Sequence, residues 1–238
     1  MSLTKSLIVN ADDFGQSPGV NRGIIQAFEE GIVTSASLMV RWPAAEPAAA
    51  YARAHPDLSL GLHIDLGEWI CCGDDDWTPA YEVVDLENLS AVAEEVSRQL
   101  SLFQKLVGKI PTHVDSHQHV HLNEPVRSIA INAARELAVP LRNCTAQVSY
   151  CGDFYGQTAN GSSLPDVVSV DGLIKILNGL SPGLTELGCH PGLDNDLETM
   201  YAAERSEEVS VLCDPRIRAA LSDKEIKLRS FNILAGDS

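Results

Sequence analysis

Positive charge is in short supply in this chain: 17 lysines and arginines stand against 33 aspartates and glutamates, a formal net charge of −16 over 238 residues. A surface of that sign repels phosphate backbones and anionic bilayers, so nucleic acid is not expected as a partner. Cysteine is present but unpatterned. Cys71, Cys72, Cys144, Cys151, Cys189 and Cys213 form no CxxC pair and are scattered through a chain far longer than a disulfide scaffold, as expected of reduced thiols in the cytoplasm. Long apolar runs are missing too. The first hydrophobic stretch, within SLIVN (residues 6–10), is too short for a signal-peptide core or a membrane span, and no membrane insertion is expected. No Gly/Ser/Pro-rich linker, repeat or low-complexity tract divides the chain, which therefore reads as one domain over residues 1–238.

What remains is an ordinary globular composition, 45% hydrophobic and 21% charged, enough to build a core at this length. Short β-branched runs alternate with helical periodicity. Strands are predicted at 6–10, 32–40, 58–66, 112–116, 139–142, 184–189 and 226–231. Helices are predicted after the Ser17-Pro18 cap, over about 44–54, through Val92–Val107, around Ile129–Leu137, and near 171–179 and 198–220. Seven strands alternating with helices predict an α/β fold with a mostly parallel sheet, open or closed into an incomplete (β/α) barrel. Residues 67–89 and 143–169 match no element and are long for loops, which marks them as candidate lids.

Histidine is concentrated where such a fold keeps its chemistry. Four segments, NADDFG (10–15), GLHIDL (61–66), HVDSHQHVH (113–121) and GCHPG (188–192), hold six of the seven histidines, and each follows or ends a predicted strand. Active sites of parallel α/β folds form at the C-terminal ends of strands. Asp12 and Asp13 close the first strand, His63 the third, Asp115 and His117 the fourth, and His190 the sixth. Carboxylate and imidazole together suit a divalent cation, and the set points to a metal-dependent hydrolase.

Each residue also has a plainer explanation. Adjacent aspartates on a regular strand point to opposite faces, so Asp12 and Asp13 can share a site only if the chain leaves β geometry there, for which Phe14-Gly15 offers a place. In an extended segment His113, Asp115, His117, His119 and His121 would share one face at steps of about 6.6 Å, too far apart for one ion to bind all five. His117, nearest the strand end, is the favoured ligand. A lone histidine such as His63 is more often a hydrogen-bonded core residue, and Cys189 reads as packing. His55, before Pro56, reads as a partner of a helix C-terminus. The run Asp74–Asp76 reads as a solvated turn, while Trp69, Trp77 and Tyr81 could stack on sugar rings or anchor their loop.

Taken in order, NADDFG, GIVTSASLMV, GLHIDL, PTHVDSHQHVH, GCHPG and the ER...E...L ending resemble the YdjC-like carbohydrate deacetylases over nearly the whole chain. The resemblance implies a distorted (β/α) barrel that binds one divalent cation and hydrolyses the N-acetyl amide of an amino sugar. It implies Asp13, His63 and His117 as metal ligands, Asp12 as the base and His190 as the acid. Asp115 would orient His190 or His117, and His119 or His121 would hold substrate or support the ligands. The family is associated with Mg²⁺, whereas histidine ligands suit Zn²⁺ better. The implied partner is an N-acetylated carbohydrate, and a homodimer is compatible with the pattern.

Three other readings fit parts of it. Two histidines and a carboxylate also describe the facial triad of Fe(II) oxygenases, although those sit on antiparallel jelly rolls. Metal-dependent amidohydrolases and phosphoesterases share such barrels but begin with an early H-x-H, where this chain has Asp12-Asp13. A non-catalytic sugar-binding protein would not need the full acid, base and ligand set.

Overall fold

The computed structural model describes residues 4–73, 76–158, 160–194, 196–197 and 199–234. Its first half runs β1 (Lys5–Phe14), α1 (Pro18–Glu29), β2 (Ser35–Leu38), α2 (Ala45–Ala54), β3 (Ser59–Ile64), β4 (Gly67–Cys71), β5 (Trp77–Glu82), α3 (Leu89–Val107) and β6 (Val114–Ser116). A 3-10 segment, His117–Leu122, leads into α4 (Val126–Glu136), β7 (Ser149–Cys151), α5 (Val170–Gly179), β8 (Gly183–Cys189), α6 (Ala202–Leu212), α7 (Pro215–Asp223) and β9 (Ile226–Arg229).

Among the described residues, seven strands form one sheet in the order β6-β3-β2-β1-β8-β7, with β9 also on β1, and every pairing in it is parallel. One edge of β1 is divided: Lys5–Ile8 pair with β9, and Asn10–Phe14 with β2. The curled sheet is an α/β half-barrel, as the strand count predicted. Leu7, Ile8, Val9 and Ala11 of the central strand are fully buried, a near-continuous apolar run because both faces are covered: Leu7, Val9 and Ala11 belong to the main core with the helices, and Ile8 packs on the other face with Val148 and Phe231. Local signals behave as read: Ser17 accepts from the Val20 amide at the start of α1, Asn88 caps α3, and α3 ends at Gly108, whose φ of 78° favours glycine.

The strand list needs three corrections. Among the described residues, 139–142 make a single bridge, Val114 to Leu141. Pro140 has no N–H for a ladder, and Ala138 and Asn143 on either side hold φ values of 53° and 54° that leave β geometry. The stretch 143–169 instead contributes β7, and 67–89 contains the antiparallel β4–β5 hairpin. The helix expected over 198–220 is two, since Asp214 caps a new start and Pro215 cannot continue the old one. Asp74 and Asp75 lie outside the described residues. Among the described residues no helix is long and apolar enough to cross a membrane, and the six cysteines are free.

Candidate active site

The C-terminal ends of β1, β3, β6 and β8 bring Asp12, Asp13, His63, Asp115, His117 and His190 to one edge of the sheet. The departure from β geometry that two adjacent aspartates require is made by Asp13 itself, at φ 67°, where the β1–β2 register shifts between Ala11 and Phe14. The turn is therefore one residue earlier than Phe14-Gly15. A left-handed aspartate costs on the order of 1–3 kcal/mol, which the contacts of its carboxylate offset.

Those contacts define a donor set. Asp13 Oδ1 lies 3.3 Å from His63 Nε2 and 3.1 Å from His117 Nδ1, and one ligand atom from each residue falls within 4.8 Å of the others. Arg205 Nη2 holds the other oxygen, Asp13 Oδ2, at 2.7 Å. Burial opposes charge on both imidazoles, yet Asp115 and Asp13 push His63 up to about 10, and Asp13 and Glu68 push His117 up to about 9. The Asp13 carboxylate between the two imidazoles marks the place where a divalent cation would supply the compensating positive charge instead of protons. His117 Nε2 is buried with no hydrogen-bond partner among the described residues and lies 3.6 Å from Glu68 Oε2. A carboxylate and two imidazoles, backed by Asp115 on His63, are a donor set that fits a small divalent cation.

Asp12 is not part of that set's first contacts. Arg142 grips it through both nitrogens, Nη1 to Oδ2 at 2.5 Å and Nη2 to Oδ1 at 2.7 Å, and also reaches Asp115 Oδ2 at 2.7 Å and Glu186 Oε1 at 2.8 Å. Burial would raise the Asp12 carboxyl, but the Arg142 guanidinium outweighs it and holds Asp12 ionised. For Glu186 burial wins, and its carboxyl rises to about 7. Arg142 escaped the sequence reading altogether. It arrives from the segment that failed as a strand, pinned by Val114 N to Pro140 O at 2.9 Å and Arg142 N to Val114 O at 3.0 Å.

His190 follows β8 with Nε2 3.7 Å from Asp12 Oδ2. Its backbone N–H donates to Glu208 Oε2 at 2.5 Å, and its ring meets Tyr155 and Tyr201 edge-on at 5.4 and 5.5 Å. Burial pulls the imidazole down to about 4, so the ring is neutral at rest. Arg205 and Glu208 sit on α6, in the ER...E...L ending, which was the signal available for them.

The HVDSHQHVH segment corrects the extended picture. Past Ser116 it coils, with Gln118 and His119 at φ 48° and 53°, so the five alternating residues share no face. His113 stacks on Phe231 at 3.9 Å and presses on Gly61, where a Cβ would sit 2.4 Å from its ring. Asp115 orients neither His190 nor His117; its Oδ1 accepts from His63 Nδ1 at 2.7 Å. His121 is buried with both nitrogens engaged, by Ser116 Oγ at 2.6 Å and the Arg142 carbonyl at 3.0 Å, and so steadies the Arg142 loop without reaching substrate. His119 lines the cavity, 3.2 Å from the Tyr150 hydroxyl.

The cavity over this edge has a volume of about 580 Å³ and is walled by Trp69, Trp77, Tyr150 and Tyr155 around Asp12, Asp13, His63, His117 and His190. That size suits a small polar ligand, for which about 300–1,000 Å³ is usual. Residues 6–223 match the family described as YdjC-like protein. The chain belongs to the YdjC-like family. Curated relatives of this YdjC-like chain include a carbohydrate deacetylase of Geobacillus stearothermophilus, 34% identical over 258 residues (96% of this chain, 98% of that protein). A chitooligosaccharide deacetylase of Serratia marcescens is 32% identical over 262 residues, covering 98% of this chain and 100% of that protein. Among solved structures, a protein of Enterococcus faecalis V583 superposes with a TM-score of 0.76 at 26% identity over 97% of this chain and 99% of that one. A family 4 carbohydrate esterase from Streptomyces lividans in complex with acetate, TM-score 0.57 at 15% identity over 95% and 93%, shares the YdjC-like fold.

Proposed function

We propose that this chain is a metal-dependent hydrolase that removes N-acetyl groups from acetylated amino sugars or their oligosaccharides. The observation that carries this is the convergence of the Asp13, His63 and His117 donor atoms beside an ionised Asp12 and a neutral His190 in one cavity. End-to-end similarity to proteins named carbohydrate deacetylase supports it.

Asp13, His63 and His117 would hold the cation. When bound, a divalent ion polarises the acetyl carbonyl and lowers the pKa of water. Asp12 takes one proton from the attacking water, a task for which Arg142 keeps it ionised. The water oxygen bonds to the acetyl carbon and the C–N bond breaks, which an amine does only when protonated. His190 Nε2, 3.7 Å from Asp12 Oδ2 and beyond hydrogen-bond length in the free protein, would receive that proton as the contact tightens around substrate and deliver it to the sugar nitrogen. The other proton of the water stays on the carboxyl product, so water and amide become acetic acid and amine, which ionise in solution to acetate and ammonium. Histidine ligands favour Zn²⁺, and the Mg²⁺ of the family is the competing ion. We place the protein in the cytoplasm, with residues 1–238 as a single domain. The parallel half-barrel disfavours a jelly-roll oxygenase, and Asp12-Asp13 on β1 disfavours an H-x-H amidohydrolase.

Acetate release from N-acetylated mono- and oligosaccharides, measured with metal and after chelation, tests the function. Metal-dependent release is expected, and no release from any member of the panel would refute it.

A further inference from the structure

The β4–β5 hairpin stands outside the parallel sheet yet forms one wall of the cavity. Its register sets Trp69 opposite Pro79 and Cys71 opposite Trp77, so Trp69 and Trp77 are diagonal neighbours on one face. Both indoles line the cavity, and Trp77 is 45% exposed at its mouth. Rigid aromatic faces offer contact area at little entropic cost.

The wall is fastened at both ends. At its base, Asp65 accepts from the Tyr81 hydroxyl at 2.9 Å, Trp42 Nε1 at 3.1 Å and the Gly67 amide at 3.2 Å. At its inner edge, Gln118 Nε2 donates to the Trp69 carbonyl at 2.8 Å, while Gln118 Oε1 accepts from the Trp69 amide at 2.9 Å. One side chain thereby supplies both bonds that a neighbouring strand would. Gln118 follows His117 directly, and its left-handed backbone turns the amide toward the hairpin. The same coil therefore places a candidate metal ligand and the wall.

We propose that Gln118 is a positioning residue that docks β4–β5 as a platform for oligosaccharides, on which Trp69 and Trp77 stack against rings beyond the one that loses its acetyl group. The proposal rests on the deacetylase reading and adds a preference for chains of several rings.

Gln118→Met keeps the length of the side chain and removes both bonds; Trp77→Ala removes the exposed indole. Acetate release from N-acetylglucosamine oligomers of two and five rings is measured for both variants, with hydrogen exchange of the hairpin amides. Each variant is expected to raise the ratio of the pentamer KM to the dimer KM about 10-fold, with the effect on KM and not on kcat. In Gln118→Met the Trp69 amide exchanges faster while β1, β3 and β8 keep wild-type protection, which separates docking from general destabilisation. An unchanged ratio, or an unchanged Trp69 exchange rate, overturns the proposal. If the wild type releases no acetate from either oligomer, the deacetylase reading fails and pentamer titration calorimetry decides the platform by itself. Binding about 10-fold tighter to wild type than to Gln118→Met supports it, and equal or no binding overturns it.

Discussion

Removing Arg142 is the sharpest test of how the site is held. Its side chain is fully buried and contacts Asp12, Asp115 and Glu186 at 2.5–2.8 Å, so Arg142→Met removes the shared cation from three buried carboxyl groups and leaves only Asp115 with a cationic partner of its own, His63. Breaking a buried pair this way costs about 3–5 kcal/mol. With a urea slope near 3 kcal/mol/M, that lowers the unfolding midpoint by ~1–1.7 M. The measurement belongs in metal-free buffer, where metal affinity does not contribute to stability. Its pH dependence has a definite sign. In the wild type, Asp12 and Asp115 are held below 3.8, so their contribution is fully present above the unfolded carboxyl range and is lost as pH falls through the folded values. Without Arg142, burial raises both carboxyls, and the charged forms become a penalty that grows as pH rises. The gap between wild type and variant should therefore be wider at pH 8 than at pH 5. Adding Asp12→Asn to Arg142→Met should recover stability through a coupling of about 0.5–3 kcal/mol. A loss below about 1 kcal/mol, or a gap that does not change with pH, would refute the account of Arg142 as the site's counter-ion.

Asp12→Asn should retain metal by calorimetry and lose about 10²–10⁴ in turnover, whereas His63→Ala should lose metal; wild-type turnover in the first variant would send the base assignment elsewhere. His190→Ala should lose a similar factor on N-acetyl substrates but be rescued on an activated acetyl ester, whose leaving group needs no proton. Equal loss on amide and ester would leave His190 as a structural or substrate-positioning residue.

The sequence alone determined the fold class and the edge of the sheet where the candidate site sits. Both are local signals: β-branched runs and helical spacing set the alternation of strands and helices, and the alternation fixes which strand ends face the site. Asp12, Asp13, His63, His117 and His190 were legible because each sits at such an end. Tertiary structure decided the rest. Arg142 is an unremarked arginine after Pro140 until the fold brings Asp12, 130 residues away in sequence, within hydrogen-bond distance. The coil at Gln118 and His119 has no glycine to announce it, and it turned five alternating residues into one candidate ligand, one cavity residue, a buried latch, a carboxylate behind His63 and a core histidine. The β4–β5 hairpin is hidden because Pro79 interrupts its strand pattern, and it is fixed by Asp65 and Gln118, which lie outside it. Periodicity acts over a few residues, whereas burying a charge selects a partner by proximity in three dimensions, and sequence separation has no part in that choice.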